Sequence, residues 1–283
     1  MNETRPTTHR WLRRYAILVA LGMLALIATG CGVATGSRGV VVLDPGHGGV
    51  DEPGAASNGI IERDSNMDMA LRVRTLLKAA GVTVTLTRST SGRADGLNAA
   101  GMDVETATFV DLQARVAKVN KANADVFVSL HSNSFRDPEV GGIEAWYDSQ
   151  RPFAARNRAL ANLFYARVPE RLEAAGYAVQ KNGIRDDAEL VDEVGRSTPL
   201  FVIGPARTIA LDELRERGVD LGAIGVTRGG SGYRTQETGI PGTLLELFYV
   251  SNPQDAALLR DETARAAMAR GIADAIIEFL DSR

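Results

Sequence analysis

Two histidines and a few well-placed carboxylates carry the chemical potential of this chain. His47 follows Val40-Val-Val-Leu-Asp-Pro-Gly46. Four β-branched or aliphatic residues in a row read as a short buried strand, and Asp44-Pro45-Gly46 ends it, delivering His47 into a loop with Gly48-Gly49. His131 closes Asp125-Val-Phe-Val-Ser-Leu-His in the same manner. Open α/β sheets bind ligands outside the carboxyl ends of their strands, so if these two strands are neighbours both imidazoles enter one crevice. A metal ion is what such a pair suits. The competing reading makes each a satisfied loop histidine, and two matching positions with no third histidine beyond His9 weaken it.

Zinc catalytic sites take three nitrogen or oxygen ligands and leave one position open. Glu62 is the best third ligand, because it follows Ile60-Ile61 and the loop 48–61 can fold it back beside His47; Glu52, Asp51 and Asp64 compete, and Asp64 is more simply a helix cap. Glu246 is a different signal. It interrupts the apolar run Thr243-Leu-Leu-Glu-Leu-Phe-Tyr249, where an unpaired carboxylate is costly, so it has either a partner such as Arg115 or Arg185 or a task. A buried carboxylate beside a metal-activated water is a general base with a raised pKa.

The elements that must position these residues begin after a targeting segment. Arg5, Arg10, Arg13 and Arg14 form a basic region, Tyr15 to Ile27 is uncharged, and Ala28-Thr29-Gly30-Cys31 resembles a lipobox, so residues 1–31 are expected to be a lipoprotein-type signal with lipidation at Cys31. Ordinary secretion or an uncleaved anchor is the alternative. Setting residues 1–31 aside removes four of 32 basic and one of 35 acidic residues and leaves a net charge of −6. An acidic domain without basic clusters is a poor nucleic-acid binder. Cys31 is the only cysteine, which excludes disulfides and cysteine-based metal sites from the remainder.

Residues 32–38 read as a tether and 39–283 as one catalytic domain. Helical spacing from Asp64 or Ser65 to Ala80, stopped by Gly81, lies between strands at 40–44 and 82–87, an order that implies a right-handed crossover and parallel pairing. Residues 88–107 form a loop, a helix follows to Asn123, and strands are expected at 125–131, 142–147 and 243–249. A helix from Pro152 to Ala175 and one from Pro253 to Leu280 complete the pattern, with Gly271 costing the latter on the order of 1 kcal/mol. Residues 186–240 are an insertion with a possible strand at 200–203, a possible helix at 206–217 and a flexible bend at 228–232.

Taken together, Asp44-Pro-Gly-His47-Gly-Gly, Glu62, Leu112-Gln-Ala-Arg115 with Asn120, Ser129-Leu-His131-Ser-Asn133, Gly142-Ile-Glu144-Ala-Trp146-Tyr147 and Leu245-Glu246-Leu-Phe-Tyr-Val-Ser-Asn252 resemble the zinc-dependent N-acetylmuramoyl-L-alanine amidases of bacterial cell walls. The resemblance implies an α/β fold, a three-layer α/β/α sandwich with a mixed, mostly parallel sheet of about six strands. It also implies one Zn2+ held by His47, Glu62 and His131, Glu246 as acid-base residue, and peptidoglycan as substrate, cut between N-acetylmuramic acid and L-alanine by activated water. Ser129 and Asn133 then support His131, Arg115 braces the sheet end, Glu144 faces the site or pairs with Arg115, and Trp146 and Tyr147 line a groove. The insertion, longer than the resemblance leads one to expect, is read as a flap or as the seat of a regulatory partner. The expected location is outside the cytoplasm, lipid-anchored at the membrane. A zinc carboxypeptidase-like peptidase and a non-catalytic wall-binding lipoprotein are the competing functions.

Overall fold

The computed structural model describes residues 37–210, 220–230 and 232–283; Cys31 and its surroundings, and most of the helix expected at 206–217, lie outside them. The described chain from Ser37 onward forms a six-stranded sheet in the order β4-β1-β5-β11-β6-β7, built from β1 (Val40–Pro45), β4 (Thr83–Leu86), β5 (Val126–Asn133), β6 (Ile143–Tyr147), β7 (Lys181–Asp186) and β11 (Gly242–Tyr249). Only the β11–β6 pair is antiparallel. This is the mixed, mostly parallel sheet expected, and β1 and β5 are neighbours as the two histidines require.

Helices cover both faces. One face packs against α1 (Glu62–Ala79), α3 (Ala154–Ala174) and α5 (Glu262–Asp281), around Leu43, Val128, Leu130, Ile143, Ala145, Leu245 and Leu247. On the other, Val42, Phe127 and Leu244 meet Val116 and Val119 of α2 (Val104–Lys121) and also Val202 and Ile203 of the insertion. The alternation along β11 and β6 therefore sends Leu245, Leu247, Ile143 and Ala145 into the first core and leaves Leu244, Glu246, Glu144 and Trp146 for the second face.

Several expected elements differ in detail. Helix α1 starts at Glu62, with Ile61 as an N-cap that makes no side-chain bond, so Asp64 does not cap it and instead meets Arg63 and Ser91. The closing helix is two helices, α4 (Pro253–Arg260) and α5: Asp261 adopts an extended ψ of 126° and its carboxylate caps α5 at Ala264 N. Gly271 has a packing reason to be in α5, since a Cβ there would lie 2.6 Å from Val168 Cα of α3. Small size lets the two helices touch by their backbones.

The insertion is partly core. Leu200–Ile203 is a turn closed by Gly204 N donating to Leu200 O at 2.7 Å, because its apolar side chains are used to cover the sheet and not to extend it. Where the sequence suggested a helix from 206, Thr208–Ala210 is strand β8, which with β9 (Thr227–Gly229) and β10 (Gly232–Arg234) makes a small antiparallel sheet in the order β8-β10-β9. The glycine-rich bend thus links β9 to β10. Ile224, Val226 and Tyr233 pack on Val110 and Ala114 of α2, while Val191 and Val194 are exposed.

Two buried carboxyls tie the insertion to the sheet. Asp187 Oδ2 accepts from Leu200 N at 3.0 Å and Asp148 Oδ1 from Gln150 N at 2.7 Å. Their other oxygens find no donor unless one carboxyl keeps its proton and gives it to the other. Burial and the facing Asp148 push Asp187 up to about 8. A carboxyl whose folded pKa is raised binds its proton more tightly folded than unfolded, so its contribution is whole at acid pH and is lost as pH climbs from about 4 through about 8. Urea titrations between pH 5 and 8 are expected to show stability falling with pH, and Asp187→Asn is expected to flatten that slope.

Candidate metal centre

The centre is built on the loop that leaves β1. His47 sits at φ 60°, a left-handed conformation uncommon for residues other than glycine. Two buried arginines hold it there. Arg115 of α2 donates from Nη1 to Pro45 O at 2.7 Å and from Nη2 to His47 O at 2.6 Å. Arg88, just past β4, donates from Nε to Pro45 O at 2.8 Å and from Nη2 to Gly46 O at 2.9 Å. Three consecutive carbonyls are thereby fixed.

Arg115 is itself held between Asp44 Oδ1 and Asp111 Oδ2, both at 2.8 Å. Asp44 also accepts from Thr87 Oγ1 at 2.5 Å and Ser129 Oγ at 2.8 Å. Burial alone would raise the Asp44 pKa, but the Arg115 charge and these hydroxyls outweigh it and hold the carboxyl below its usual range. Ser129 therefore braces Asp44, two residues before the chain reaches His131.

Glu62 arrives by way of a hairpin. Strands β2 (Ala56–Ser57) and β3 (Ile60–Ile61) are joined by Asn58-Gly59, both at positive φ, the turn chemistry that a two-residue hairpin favours. The Asn58 amide donates to Val250 O at 2.9 Å, docking the hairpin beside β11. Glu62 then begins α1, where the helix dipole favours a negative charge. Its Oε2 accepts from Ala55 N at 2.9 Å, and its Oε1 from Ser132 N at 3.2 Å and Asn66 Nδ2 at 3.3 Å.

These arrangements bring the three sequence-predicted ligands together. Glu62 Oε1 lies 3.0 Å from His47 Nε2 and 3.2 Å from His131 Nδ1, and the imidazole centroids are 4.9 Å apart. One donor atom from each of the three residues falls within 4.8 Å of the others, which is a set that could hold a metal ion. Glu52, a competing ligand by sequence, instead contacts His47 Nδ1 at 2.6 Å, the outer interaction that fixes a ligating imidazole and turns Nε2 inward. Asp64 and Asp51 face other partners, Arg63 and Arg93. Burial would raise the Glu62 pKa, but the two imidazoles reverse this and hold the carboxyl far below its usual range. Gly46 and Gly54 are required here: a Cβ on the first would collide with the His131 ring, and one on the second with Glu62 and His47.

Glu246 stands beside the triad, paired in register with His131 across the β5–β11 ladder. Directly after it Leu247 and Phe248 face Ser132 alone, a β-bulge that puts buried Phe248 at φ 69°. The buried Glu246 Oε2 has no hydrogen-bond partner. Burial, with the nearby Glu62 and Glu144 carboxylates, pushes its pKa well above the usual range. Neither arginine offered by the sequence pairs with it, for Arg115 binds Asp44 and Arg185 binds Glu144. Glu144 likewise does not reach Arg115. It accepts from Tyr249 Oη at 2.8 Å and Trp146 Nε1 at 3.2 Å and lies 3.3 Å from Arg185 Nη2. Asn133 shapes the loop after β5, its Oδ1 accepting from Ser134 N and its carbonyl from Val250 N.

Sequence reasoning did not find Arg88, Asn66 or Gly54. Asn66 could have been read from its place one turn beyond Glu62 in α1; for Arg88 no local signal exists.

An α/β sheet with two histidines and an unpaired carboxyl at its strand ends, facing a glutamate at the start of α1, is a scaffold that could hold a metal ion for hydrolysis. Residues 41–278 match the family model described as N-acetylmuramoyl-L-alanine amidase. The chain belongs to the N-acetylmuramoyl-L-alanine amidase family, as the motifs led us to expect, and the carboxypeptidase-like and non-catalytic alternatives are not favoured. AmiA of Escherichia coli K12 is 27% identical over 254 residues, covering 87% of this chain and 77% of AmiA. The catalytic domain of the amidase CwlV from Bacillus (Paenibacillus) polymyxa var. colistinus superposes with a TM-score of 0.55 at 27% identity, over 86% of this chain and 99% of that one. CwlD of Clostridioides difficile, solved in complex with the GerS lipoprotein, shares the fold at a TM-score of 0.59 and 22% identity, over 87% of this chain and 100% of that one.

Arg115→Leu is expected to lower the unfolding free energy by about 3–5 kcal/mol, because it strands the buried Asp44 and Asp111 carboxylates. Circular dichroism in urea measures this, and metal titration of the variant should show weakened binding as the His47 loop loses its clamp.

Proposed function

We propose that this chain hydrolyses peptidoglycan at the amide between the lactyl group of N-acetylmuramic acid and the first L-alanine of the stem peptide, with His47, Glu62 and His131 holding one Zn2+ and Glu246 moving the proton. The observation that carries this is the meeting of a three-residue donor set with a half-buried carboxyl one strand away, whose inner oxygen Oε2 has no partner. The donors fit zinc in kind: two imidazoles and one carboxylate, with the His47 ring oriented by Glu52. Zinc, when bound, supplies Lewis acidity, which lowers the pKa of water and polarises the scissile carbonyl.

The chain's own residues account for the proton transfers. Glu246 Oε2 has no competing donor, so it is free to accept a proton from the attacking water. Burial and the neighbouring carboxylates raise its pKa, which favours holding the proton taken from water until it passes to the departing L-alanine amine. Glu144 is held by Tyr249, Trp146 and Arg185, and its nearness helps to raise Glu246 without a hydrogen bond between them. Ser132 N and Asn66 hold Glu62 in place.

Glu246→Gln is expected to lower kcat by about 10²–10⁴-fold, the usual weight of a positioned acid-base group, while zinc content stays at one ion per chain. His131→Ala should lose the zinc itself. Mass spectrometry of digested peptidoglycan checks the bond: new free L-alanine amines must appear with the zinc-loaded wild type and vanish with chelator. Zinc bound at full stoichiometry without such products sinks the reading.

We also propose export with lipidation at Cys31, supported by the basic, apolar and small-residue order of residues 5–31. Among the described residues no helix is long and apolar enough to cross a membrane. In an expressing bacterium fed radiolabelled palmitate, the wild type should incorporate label and Cys31→Ser should not; equal labelling of both refutes it.

A further inference from the structure

Beyond Glu246 the second face of the sheet continues as a row of polar side chains that take no proton in the hydrolysis. Glu246 of β11 pairs in register with Glu144 of β6, and Trp146, two residues on, pairs with Arg185 of β7. The Arg185 guanidinium stacks over the Trp146 ring at 5.6 Å while one of its nitrogens faces Glu144. Its side chain is 49% exposed, so most of its five donors are open to a ligand. Past it lies a cavity of about 320 Å³ lined by Trp146, Tyr147, Ile184, Arg185, Asp186 and Glu189.

The lining carries both signs of charge. Arg185 offers a planar cationic fork suited to a carboxylate. Glu189 is exposed and forms no ion pair among the described residues, and Asp186 is held at the floor by Ser149 N and Ala188 N. A purely anionic group would meet two carboxylates here, and a purely cationic one would meet Arg185. A group bearing a carboxylate and an ammonium together satisfies both. Trp146 adds an apolar wall for the methylenes that carry such a head.

Direction and reach identify what would bring that group to the cavity. Glu246 lies between His131 of β5 and Glu144 of β6, so a stem peptide whose amine takes its proton from Glu246 has a path across β6 and β7. Two strand spacings across and two residues along put Arg185 roughly 12 Å from Glu246. An extended peptide covers about 3.3–3.6 Å per residue, so the end of a third-residue side chain reaches that distance.

We propose that Arg185, with Trp146 and Glu189, forms a specificity subsite for a zwitterionic amino-acid head group at the end of the third stem-peptide side chain, as a diaminopimelate-type residue carries and a lysine does not. This rests on the amidase reading given above. Arg185 binds the free carboxylate of that head, and Glu189 receives its ammonium. A lysine stem offers the ammonium alone and leaves Arg185 unused.

The test compares zinc-loaded full-length protein acting on uncross-linked glycan strands whose tetrapeptide stems carry either meso-diaminopimelate or L-lysine as the third residue. Wild type is expected to favour the diaminopimelate strands at least tenfold in kcat/KM, with the difference in KM. Arg185→Gln should bring that preference to within twofold by raising KM for the diaminopimelate strands, and Arg185→Lys should restore part of it. A wild type that does not discriminate overturns the subsite. So does an Arg185→Gln variant that loses both substrates equally, which would mark Arg185 as a support for Glu144 alone. Release of no free L-alanine amine by the wild type from either strand would overturn the amidase reading itself.

Discussion

The geometry of the site depends on the anchoring of three peptide carbonyls, those of Pro45, Gly46 and His47, by two guanidinium groups taken out of water. A loop at the end of a buried strand has backbone acceptors that no neighbouring strand can satisfy, and leaving them bare costs about as much as a lost hydrogen bond each. Arg115 and Arg88 satisfy all three and, in doing so, dictate the left-handed turn at His47. Their own desolvation is offset unequally. Arg115 has two carboxylates, while Arg88 has only carbonyls and its neighbour's positive charge, and its pKa is lowered to about 10 by burial and by Arg115.

From that anchor the other parts follow in sequence. Asp44 turns toward Arg115 and takes Ser129 with it, which sets the register of β1 against β5 and so the separation of the two imidazoles. The Asn58-Gly59 hairpin closes the loop that begins at His47 and hands Glu62 to the dipole end of α1. The bulge at Leu247–Phe248 ends regular pairing between β11 and β5 where Glu246 must stand clear of the ladder. Local strain at His47 and Phe248 flanks the chemistry on both sides, and each strained residue is held by a packed or hydrogen-bonded surrounding.

Much of this was legible in the sequence because it rests on short-range rules. The runs at Val40–Leu43, Val126–Leu130 and Leu244–Tyr249 are too apolar to be anything but buried strands, and a polar residue at the end of such a run or in the middle of it has few places to go. That is why His47, His131 and Glu246 stood out, and why Glu62 followed from loop length. What could not be read depends on contacts between distant segments. Arg88 looks like any residue after a strand, yet it reaches across to residues 45, 46 and 63. The buried Asp148–Asp187 pair joins positions that are ordinary surface types on paper. The division of 253–280 into two helices hinged on Asp261, a good N-cap residue inside an otherwise continuous helical pattern. Leu200–Ile203 has the composition of a strand, but all six places in the sheet are already taken, and its side chains serve as a cover for the open face.

The two ends of the described fold are fastened together. Arg38 Nε meets Asp281 Oδ1 at 3.0 Å, and Arg283 Nη2 donates to Arg38 O at 2.8 Å, next to the start of β1. His47 lies at the other end of that same strand, about 20 Å away at strand rise. Any pull transmitted through residue 37 is therefore taken up by the base of the sheet and by the last turn of α5, with the loop at Pro45–His47 outside the line of load. A cutting edge carried at the far pole of its own mount can work on a material under tension without having its jaws drawn open.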